Sequence, residues 1–327
     1  MIEVCIPQTI ALELSSACHF SCEYCDRVNW QAPQHTRLRA HMDYDLFTRV
    51  VDEITSCGHP ISLTLNYEGE SLLHPRIVDM LEYCRRRNVR PWLSTRLHPA
   101  SPELMHVILA SCDTVAVSLD MAGPDGCAAP NQSGTDRARA QVANLDLMLQ
   151  RAHAGSARIV VTTVLERGDS VENPKVLAFV EKWLDRVSSI YLYQGVEFGP
   201  NSIRYMNDLG ISDHLKRRRP CRQPFSYLAI MSDGRMAPCC ITSRVCMQET
   251  TVEPTLLGAL SGSELAAFRA RHKTMDLTHT ICDDCDMWIE SWLGEEDVTL
   301  SLPGGRTVRA VNEGGAIRIE RPLGVEP

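Results

Sequence analysis

The sequence has no excess of positive charge, no long apolar run and no internal repeat. The first two absences each argue against a class of protein. Among its 327 residues, 33 Lys and Arg stand against 41 Asp and Glu, so the net charge is −8. This balance argues against a general binder of nucleic acid or of membrane surfaces. No N-terminal apolar stretch has the length of a signal peptide and no segment is long enough to span a bilayer, so we expect a cytoplasmic protein without a membrane partner.

Cysteine, in contrast, is plentiful, with 14 residues in a chain that shows no export signal. In a reducing compartment such residues do not form a disulfide framework, and clustered thiols more often hold metal. Two sets stand out. The first is the stretch CHFSCEYC, with Cys18, Cys22 and Cys25. The second set comprises Cys221, Cys239, Cys282 and Cys285.

Short β-rich runs alternate with helical stretches over the first two hundred residues. Six strands are predicted at 9–15, 61–65, 91–95, 114–119, 158–164 and 189–193, with five helices between them. Thr135 is the expected N-cap of the fourth helix. Strands that alternate with helices in this way are parallel and are joined by right-handed crossovers. We therefore expect an α/β fold, a partial (β/α)6 TIM-type barrel whose functional residues lie at the C-terminal ends of the strands.

The pattern changes after about Gly199, where a smaller C-terminal domain is predicted. The basic run KRRR at 216–219 leads into SYLAIMSDGRMAPC, two short strands around a Ser-Asp-Gly turn, and a helix at SGSELAAFRARHK follows. The predicted domains are a barrel at 1–200, a hairpin-plus-helix auxiliary domain at 201–293, and a β-rich tail at 294–327. KRRR is interpreted as a solvated linker, and a clamp for phosphate or carboxylate is the second interpretation.

The first cysteine set has one ligand too few for a four-cysteine zinc site. Three thiolates can hold three irons of a [4Fe–4S] cluster and leave the fourth iron open. Cys18, Cys22 and Cys25 match the CxxxCxxC signature of the radical S-adenosylmethionine (radical SAM) superfamily, which the sequence resembles, and Tyr24 fills its usual aromatic position. The resemblance implies that SAM binds the open iron and is cleaved to a 5′-deoxyadenosyl radical. It also implies an external electron donor such as flavodoxin or ferredoxin.

Further residues of the expected SAM site follow the next three strands. The segment Glu68–Gly69–Glu70–Ser71 stands where the superfamily has its GGEP-like segment, although Glu68 replaces a glycine and Ser71 a proline. The resemblance implies that this segment holds the SAM amino group. Ser94, Thr95 and Ser118 are candidates for other SAM contacts. Taken alone, Glu70 also fits a solvated loop acid, and Ser118 a strand-end hydroxyl that bonds local backbone.

The second cysteine set has the spacing Cx12Gx4C followed by CxxC, which on spacing alone also suits a zinc ribbon with four cysteine ligands. In this context it resembles the Twitch domain, the short SPASM-type extension of some radical SAM enzymes. That resemblance implies one auxiliary [4Fe–4S] cluster. Four cysteine ligands leave no open iron, so the expected role of this cluster is electron transfer.

A small diffusible substrate is expected because only 17 residues precede Cys18, too few for an N-terminal peptide-recognition domain. The resemblance is closest to enzymes that tailor aminoglycosides and aminocyclitols. Carboxylates suit such cationic substrates, and Arg204 is a candidate for binding substrate hydroxyls. The candidate carboxylates are Asp120, Glu166, Glu197 and Asp208.

Several reaction outcomes are compatible with the sequence. The leading hypothesis is a two-electron dehydrogenation of a carbinol or amine carbon, with the auxiliary cluster as electron acceptor. An epimerase would instead use Cys246 or Cys240 as a hydrogen donor to the substrate radical. Radical dehydration of a diol, maturation of a peptide and a binding module without turnover also fit the two cysteine sets.

Overall fold

The computed structural model describes residues 5–20, 22, 25, 41–120, 132–165, 169–194, 218–240, 251–280, 282–283, 285, 288, 296–313 and 316–321. Its N-terminal elements alternate strand and helix, as the sequence predicts. They are β1 (Thr9–Leu12), α1 (Tyr44–Ser56), β2 (Ser62–Leu65), α2 (Ile77–Arg86), β3 (Trp92–Thr95), α3 (Pro102–Ser111), β4 (Thr114–Ser118), α4 (Gln132–Arg151), β5 (Arg158–Leu165), α5 (Pro174–Trp183) and β6 (Ser189–Gln194).

The helices begin where local capping chemistry allows. The carboxylate of Asp43 accepts hydrogen bonds from the backbone N–H groups of Asp45 and Leu46 at the start of α1. Ser101 caps α3 in the same way, and a proline follows it at the first helical position. The predicted cap at Thr135 is wrong, because α4 begins three residues earlier at Gln132.

Strands β1 to β6 lie in chain order in one sheet, and every neighbouring pair is parallel. This confirms the α/β, partial (β/α)6 barrel. The two outer barrel strands do not pair with each other. Instead, β7 (Tyr227–Ile230) pairs in parallel with β1, and β11 (Ala316–Glu320) pairs antiparallel with β6.

The two faces of the barrel sheet differ in composition because successive side chains of a strand point to opposite sides. One face carries aliphatic residues that pack against the helices; examples are Leu65, Val117, Val161 and Leu192, all at most 1% exposed. Burying each such side chain stabilises the fold by roughly 1.5–3 kcal/mol. The other face carries the alternate residues of the strands, among them Thr64, Asn66, Trp92, Ser94, Ser118, Thr162 and Tyr191.

A contact between two rings shows that this second face is concave. Trp92 on β3 and Tyr191 on β6 meet edge to face, with ring centroids 5.9 Å apart. Two strands lie between them, and neighbouring strands are about 4.8 Å apart, so a flat sheet would hold these rings much farther from each other. The sheet therefore curls around an interior lined by aromatic and hydroxyl side chains.

The C-terminal domain contains the predicted hairpin and helix. Strand β7 turns back into β8 (Met236–Ala237) through a loop in which Gly234 has φ +84°, a conformation that favours glycine. Two further helices follow, α7 (Leu256–Leu260) and α8 (Ser263–Thr274). A short α6 (Gln223–Ser226) precedes the hairpin.

The predicted β-rich tail forms an antiparallel meander of β9 (Glu296–Ser301), β10 (Thr307–Glu313) and β11. Because β11 pairs with β6, the meander extends the barrel sheet on the side opposite the hairpin. Within the described part of the chain, none of the helices combines the length and the apolar character that crossing a membrane requires.

Candidate active site

The first cysteine set begins six residues after β1 ends. Cys18, Cys22 and Cys25 are half-buried. The backbone N–H of Phe20 donates to Cys18 Sγ at 3.4 Å, and the N–H of Cys25 donates to the carbonyl of Cys22 at 3.0 Å. Amide donors to cysteine sulfur are one of the features that tune iron–sulfur sites. The local geometry therefore fits thiolate ligands of a cluster.

The segment after β2 packs directly against the chain that leads into this cysteine loop. The N–H of Glu70 donates to the carbonyl of Ala17 at 2.7 Å. A Cβ placed on Gly69 would lie 1.9 Å from the carbonyl oxygen of Ser15, so only glycine fits here. The two segments that the superfamily resemblance assigns to the SAM site are thus in contact.

The Glu70 carboxylate is buried in a ring of donors. Its Oε1 accepts from the N–H of Leu72 at 3.1 Å and from Thr95 Oγ1 at 2.7 Å, and its Oε2 accepts from the N–H of Arg96 at 2.7 Å. Burial raises the pKa of the Glu70 carboxyl, and these three bonds and the charge of Arg96 oppose that rise. Glu70 is therefore a fixed polar anchor and not a solvated loop acid.

The other residues of the segment are also placed by hydrogen bonds. Ser71 stands where the superfamily has proline, and its hydroxyl donates to the carbonyl of Leu65 at 3.1 Å. It opens a short 3-10 turn that Glu70 caps. Glu68 is half-buried next to Tyr67, whose pKa its charge helps to raise.

The candidates on β3 and β4 point to different sides. Thr95 donates to Glu70 and accepts from the N–H of Leu97, so its hydroxyl positions Glu70. Ser94 faces the concave side, where its Oγ accepts from Trp92 Nε1 at 3.0 Å. Ser118 Oγ lies 3.0 Å from Thr162 Oγ1 on that same side. Contacts of these three residues with SAM remain predictions.

Sequence reasoning missed Arg96, which follows Thr95 directly. Its guanidinium pairs with Asp120 through both Nη atoms, and the Nη1–Oδ1 distance is 2.9 Å. It also lies over the ring of Phe20, 4.4 Å from the centroid. Asp120, predicted as a substrate carboxylate, is held by this arginine, and its contact with a substrate stays a prediction. The position of Arg96 at the end of the third predicted strand could have indicated a functional role, because functional residues of barrels lie at strand ends.

The second cysteine set lies around the β7–β8 hairpin. The pKa of the Cys221 thiol is raised to about 12, mainly by burial and to a smaller extent by Cys285 and Cys282. The N–H of Cys285 donates to the carbonyl of Cys282, which closes the CDDC turn. Such a buried thiol loses its proton when it binds a metal ion, so these residues suit ligation.

Side-chain hydrogen bonds connect the hairpin to the barrel, in addition to the pairing of β7 with β1. Tyr67, two residues after β2, donates its hydroxyl to the carbonyl of Cys239 at 3.1 Å. Glu13, just after β1, accepts from both the N–H and the hydroxyl of Ser232, each at 2.9 Å. Cys239 therefore sits against the same loop that contacts the chain before Cys18.

In the parts of the chain that the structure describes, no three His, Cys, Asp or Glu side chains converge on the point of a single ion. Four cysteine ligands suit either one zinc ion or a [4Fe–4S] cluster, in which each cysteine binds a different iron.

Several predicted residues lie outside the described part of the chain. They are Tyr24, Glu166, Glu197, Arg204, Asp208 and Cys246. Their proposed roles stay predictions.

Comparison with known proteins supports an iron–sulfur function for the C-terminal domain. Residues 221–286 match the SPASM family, described as an iron–sulfur cluster-binding domain. This part of the chain resembles a SPASM domain. The chain is also 27% identical over 111 residues to a tungsten-containing aldehyde ferredoxin oxidoreductase cofactor-modifying protein of Pyrococcus furiosus. That match covers 34% of this chain and 30% of the relative.

Solved structures share the fold at low identity. SuiB of Streptococcus suis bound to S-adenosylmethionine is 14% identical with a TM-score of 0.60, covering 88% of this chain and 75% of that chain. BtrN in complex with AdoMet and 2-DOIA is 15% identical with a TM-score of 0.54, covering 86% and 93%. The chain named anSMEcpe, with bound AdoMet and a Cp18Cys peptide, is 12% identical with a TM-score of 0.56, covering 86% and 87%. The similarity establishes the barrel fold.

Proposed function

We propose that the protein is a radical SAM enzyme that oxidises a carbinol or amine carbon of a small amino sugar or aminocyclitol. One [4Fe–4S] cluster on Cys18, Cys22 and Cys25 would bind SAM, and an auxiliary cluster would use the second cysteine set. The observation that carries the proposal is the contact of Gly69 and Glu70 with the chain from Ser15 to Ala17, which joins two parts of the expected SAM site.

When bound, the reduced cluster and SAM supply a 5′-deoxyadenosyl radical that removes a hydrogen atom from the substrate carbon. A dehydrogenation would remove two protons and two electrons from the substrate in all and leave a C=O or C=N bond, with the auxiliary cluster as the expected acceptor of one of these electrons. An external donor such as flavodoxin or ferredoxin would supply the electron for SAM cleavage.

The residues of this chain would bind and orient SAM and the substrate. Glu70, held by three donors, fixes the loop that faces SAM. The rings of Trp92, Tyr191 and Tyr193 offer apolar faces inside the barrel, with Tyr191 and Tyr193 stacked at 6.2 Å. Hydroxyls of Ser94 and Ser118 stand on the same side. Aromatic faces with a few polar groups suit a ring-shaped polar substrate.

Epimerisation is the second candidate because one possible hydrogen donor is placed near the connection between the domains. Cys240 is half-buried and follows Cys239 directly. A thiolate at Cys240 raises the pKa of both Tyr67 and Tyr227. A thiol there gives a hydrogen atom to a substrate radical when it faces the radical carbon. The other candidate donor, Cys246, lies outside the described residues.

The test uses anaerobically reconstituted protein with SAM, a reductant and a panel of aminocyclitols and aminoglycosides in D2O. We expect 5′-deoxyadenosine and a product that is lighter by two hydrogens. Gain of one deuterium at unchanged composition would instead establish the epimerase. SAM cleavage without any product would favour a peptide substrate.

Cysteine variants separate the proposed SAM site from unspecific iron binding. Cys18→Ala should abolish 5′-deoxyadenosine formation. Cys57→Ala is the matched control, because Cys57 is a half-buried thiol at the end of α1 that bonds the carbonyl of Ile54. Absence of 5′-deoxyadenosine from cluster-loaded wild type with every reductant would overturn the radical SAM proposal.

A further inference from the structure

Arg218, in the basic run KRRR, contacts the second cysteine set. Its Nη1 donates to the carbonyl of Asp283 at 2.6 Å, and its Nη2 donates to the carbonyl of Cys282. Both acceptors belong to the CDDC turn, 64 and 65 residues farther along the chain. The forked guanidinium is well suited to holding two neighbouring acceptors at once. Arg218 is thus not part of a freely solvated linker.

The bond to the carbonyl of Cys282 places the positive charge of Arg218 beside the backbone of one of the four expected cluster ligands.

Some buried nitrogen atoms of Arg218 and of His272 have no hydrogen-bond partner among the described residues. Arg218 Nε is buried and has no hydrogen-bond partner among the residues with described coordinates. The same holds for both ring nitrogens of His272 on α8, which is 1% exposed. Buried polar atoms without partners are costly, so such groups usually have a partner in the functional state.

We propose that Arg218 is a positioning residue of the auxiliary cluster, which clamps the CDDC turn and makes the cluster easier to reduce. The inference rests on the proposed auxiliary cluster. Arg218 donates to carbonyls and not to the sulfurs, and its nearby positive charge favours the reduced, more negative state of an iron–sulfur cluster. A more readily reduced cluster accepts an electron more completely from a substrate radical, so Arg218 would favour oxidation over return of the hydrogen atom.

The test measures the reduction potential of the auxiliary cluster by redox titration followed by electron paramagnetic resonance. Cys18→Ala serves as the parent, so that the auxiliary cluster is the one cluster left in the full-length chain. We expect Arg218→Gln to shift the reduction equilibrium about tenfold toward the oxidised cluster, a drop of about 59 mV for one electron. Arg218→Lys keeps the charge without the fork and should fall between parent and Arg218→Gln.

Arg219→Gln is the matched control, because it removes the neighbouring, exposed arginine of the same run. It should shift the potential much less. Hydrogen exchange at residues 282–285 provides a second readout, which Arg218→Gln should accelerate and Arg219→Gln should not. A parent that holds no iron would overturn the auxiliary cluster itself. An iron-loaded Arg218→Gln protein with unchanged potential and exchange would overturn the role of Arg218 alone.

Discussion

The backbone N–H of Glu70 donates a 2.7 Å hydrogen bond to the carbonyl of Ala17, the residue before Cys18. This bond joins the loop after β2 to the loop after β1. In parallel sheets such loops meet at the same end, where active sites of barrel proteins lie. The two loops can therefore act as one site only while this contact holds.

Gly69→Ala should destabilise the protein by about 1–3 kcal/mol, since the new methyl group would overlap backbone atoms of Ser15 and Ser16. Chemical denaturation measures the loss. Gly304→Ala is the control, because the atom closest to its Cβ is Glu181 Oε1, at the tip of a flexible side chain. Equal stability of the two variants would contradict the close packing of Gly69.

Thr95→Val should cost about 1–3 kcal/mol, because it removes the donor to Glu70 and leaves the buried N–H of Leu97 without its acceptor. Thr163→Val makes the same change at a buried hydroxyl that has no partner among the described residues, and it should leave stability unchanged or raised. Urea denaturation measures the free energy of unfolding of both variants and of the wild type. A Thr95→Val protein as stable as Thr163→Val would refute it.

Tyr67→Phe should loosen the hairpin from the barrel by deleting the bond to the carbonyl of Cys239, at a cost of about 1 kcal/mol. Hydrogen exchange should accelerate across residues 227–240. Tyr83→Phe deletes a comparable hydroxyl, which donates to Asp52 at 2.7 Å on the helical layer. That control should leave exchange in the hairpin unchanged, and acceleration in both variants would speak against a local role of Tyr67.

His272 should make the protein less stable as the pH falls. Burial, with help from Arg218 and Arg271, lowers the pKa of His272 from 6.5 to about 4. Below pH 6.5 the unfolded chain therefore binds a proton at His272, whereas the folded chain binds it only below about pH 4. The free energy of unfolding is highest above pH 6.5 and falls as the pH drops below that value. Between about pH 7.5 and pH 5 the loss is about 2 kcal/mol.

The matching variant is His272→Leu, which removes the titrating group from the same buried position. Its unfolding free energy should change less over this pH range than that of the wild type. Parallel pH profiles for the two proteins would show that His272 titrates normally in the fold.

Local pattern was enough to predict most of the architecture. Each of the six barrel strands appears at its expected place, because alternation and turn residues are properties of short segments. The hairpin around Gly234 also follows from its own residues. The start of α4 did not, since the helix begins at Gln132 and the predicted cap was Thr135.

The barrel, the two cysteine sets and the loop of Glu70 could be predicted from the sequence, because periodicity and ligand spacing are properties of short segments. The meeting of residues far apart in the chain could not. The pairing of Arg96 with Asp120, the clamp of Arg218 on the CDDC turn and the joining of β11 to β6 each link segments at least 24 residues apart, and no local pattern relates such segments.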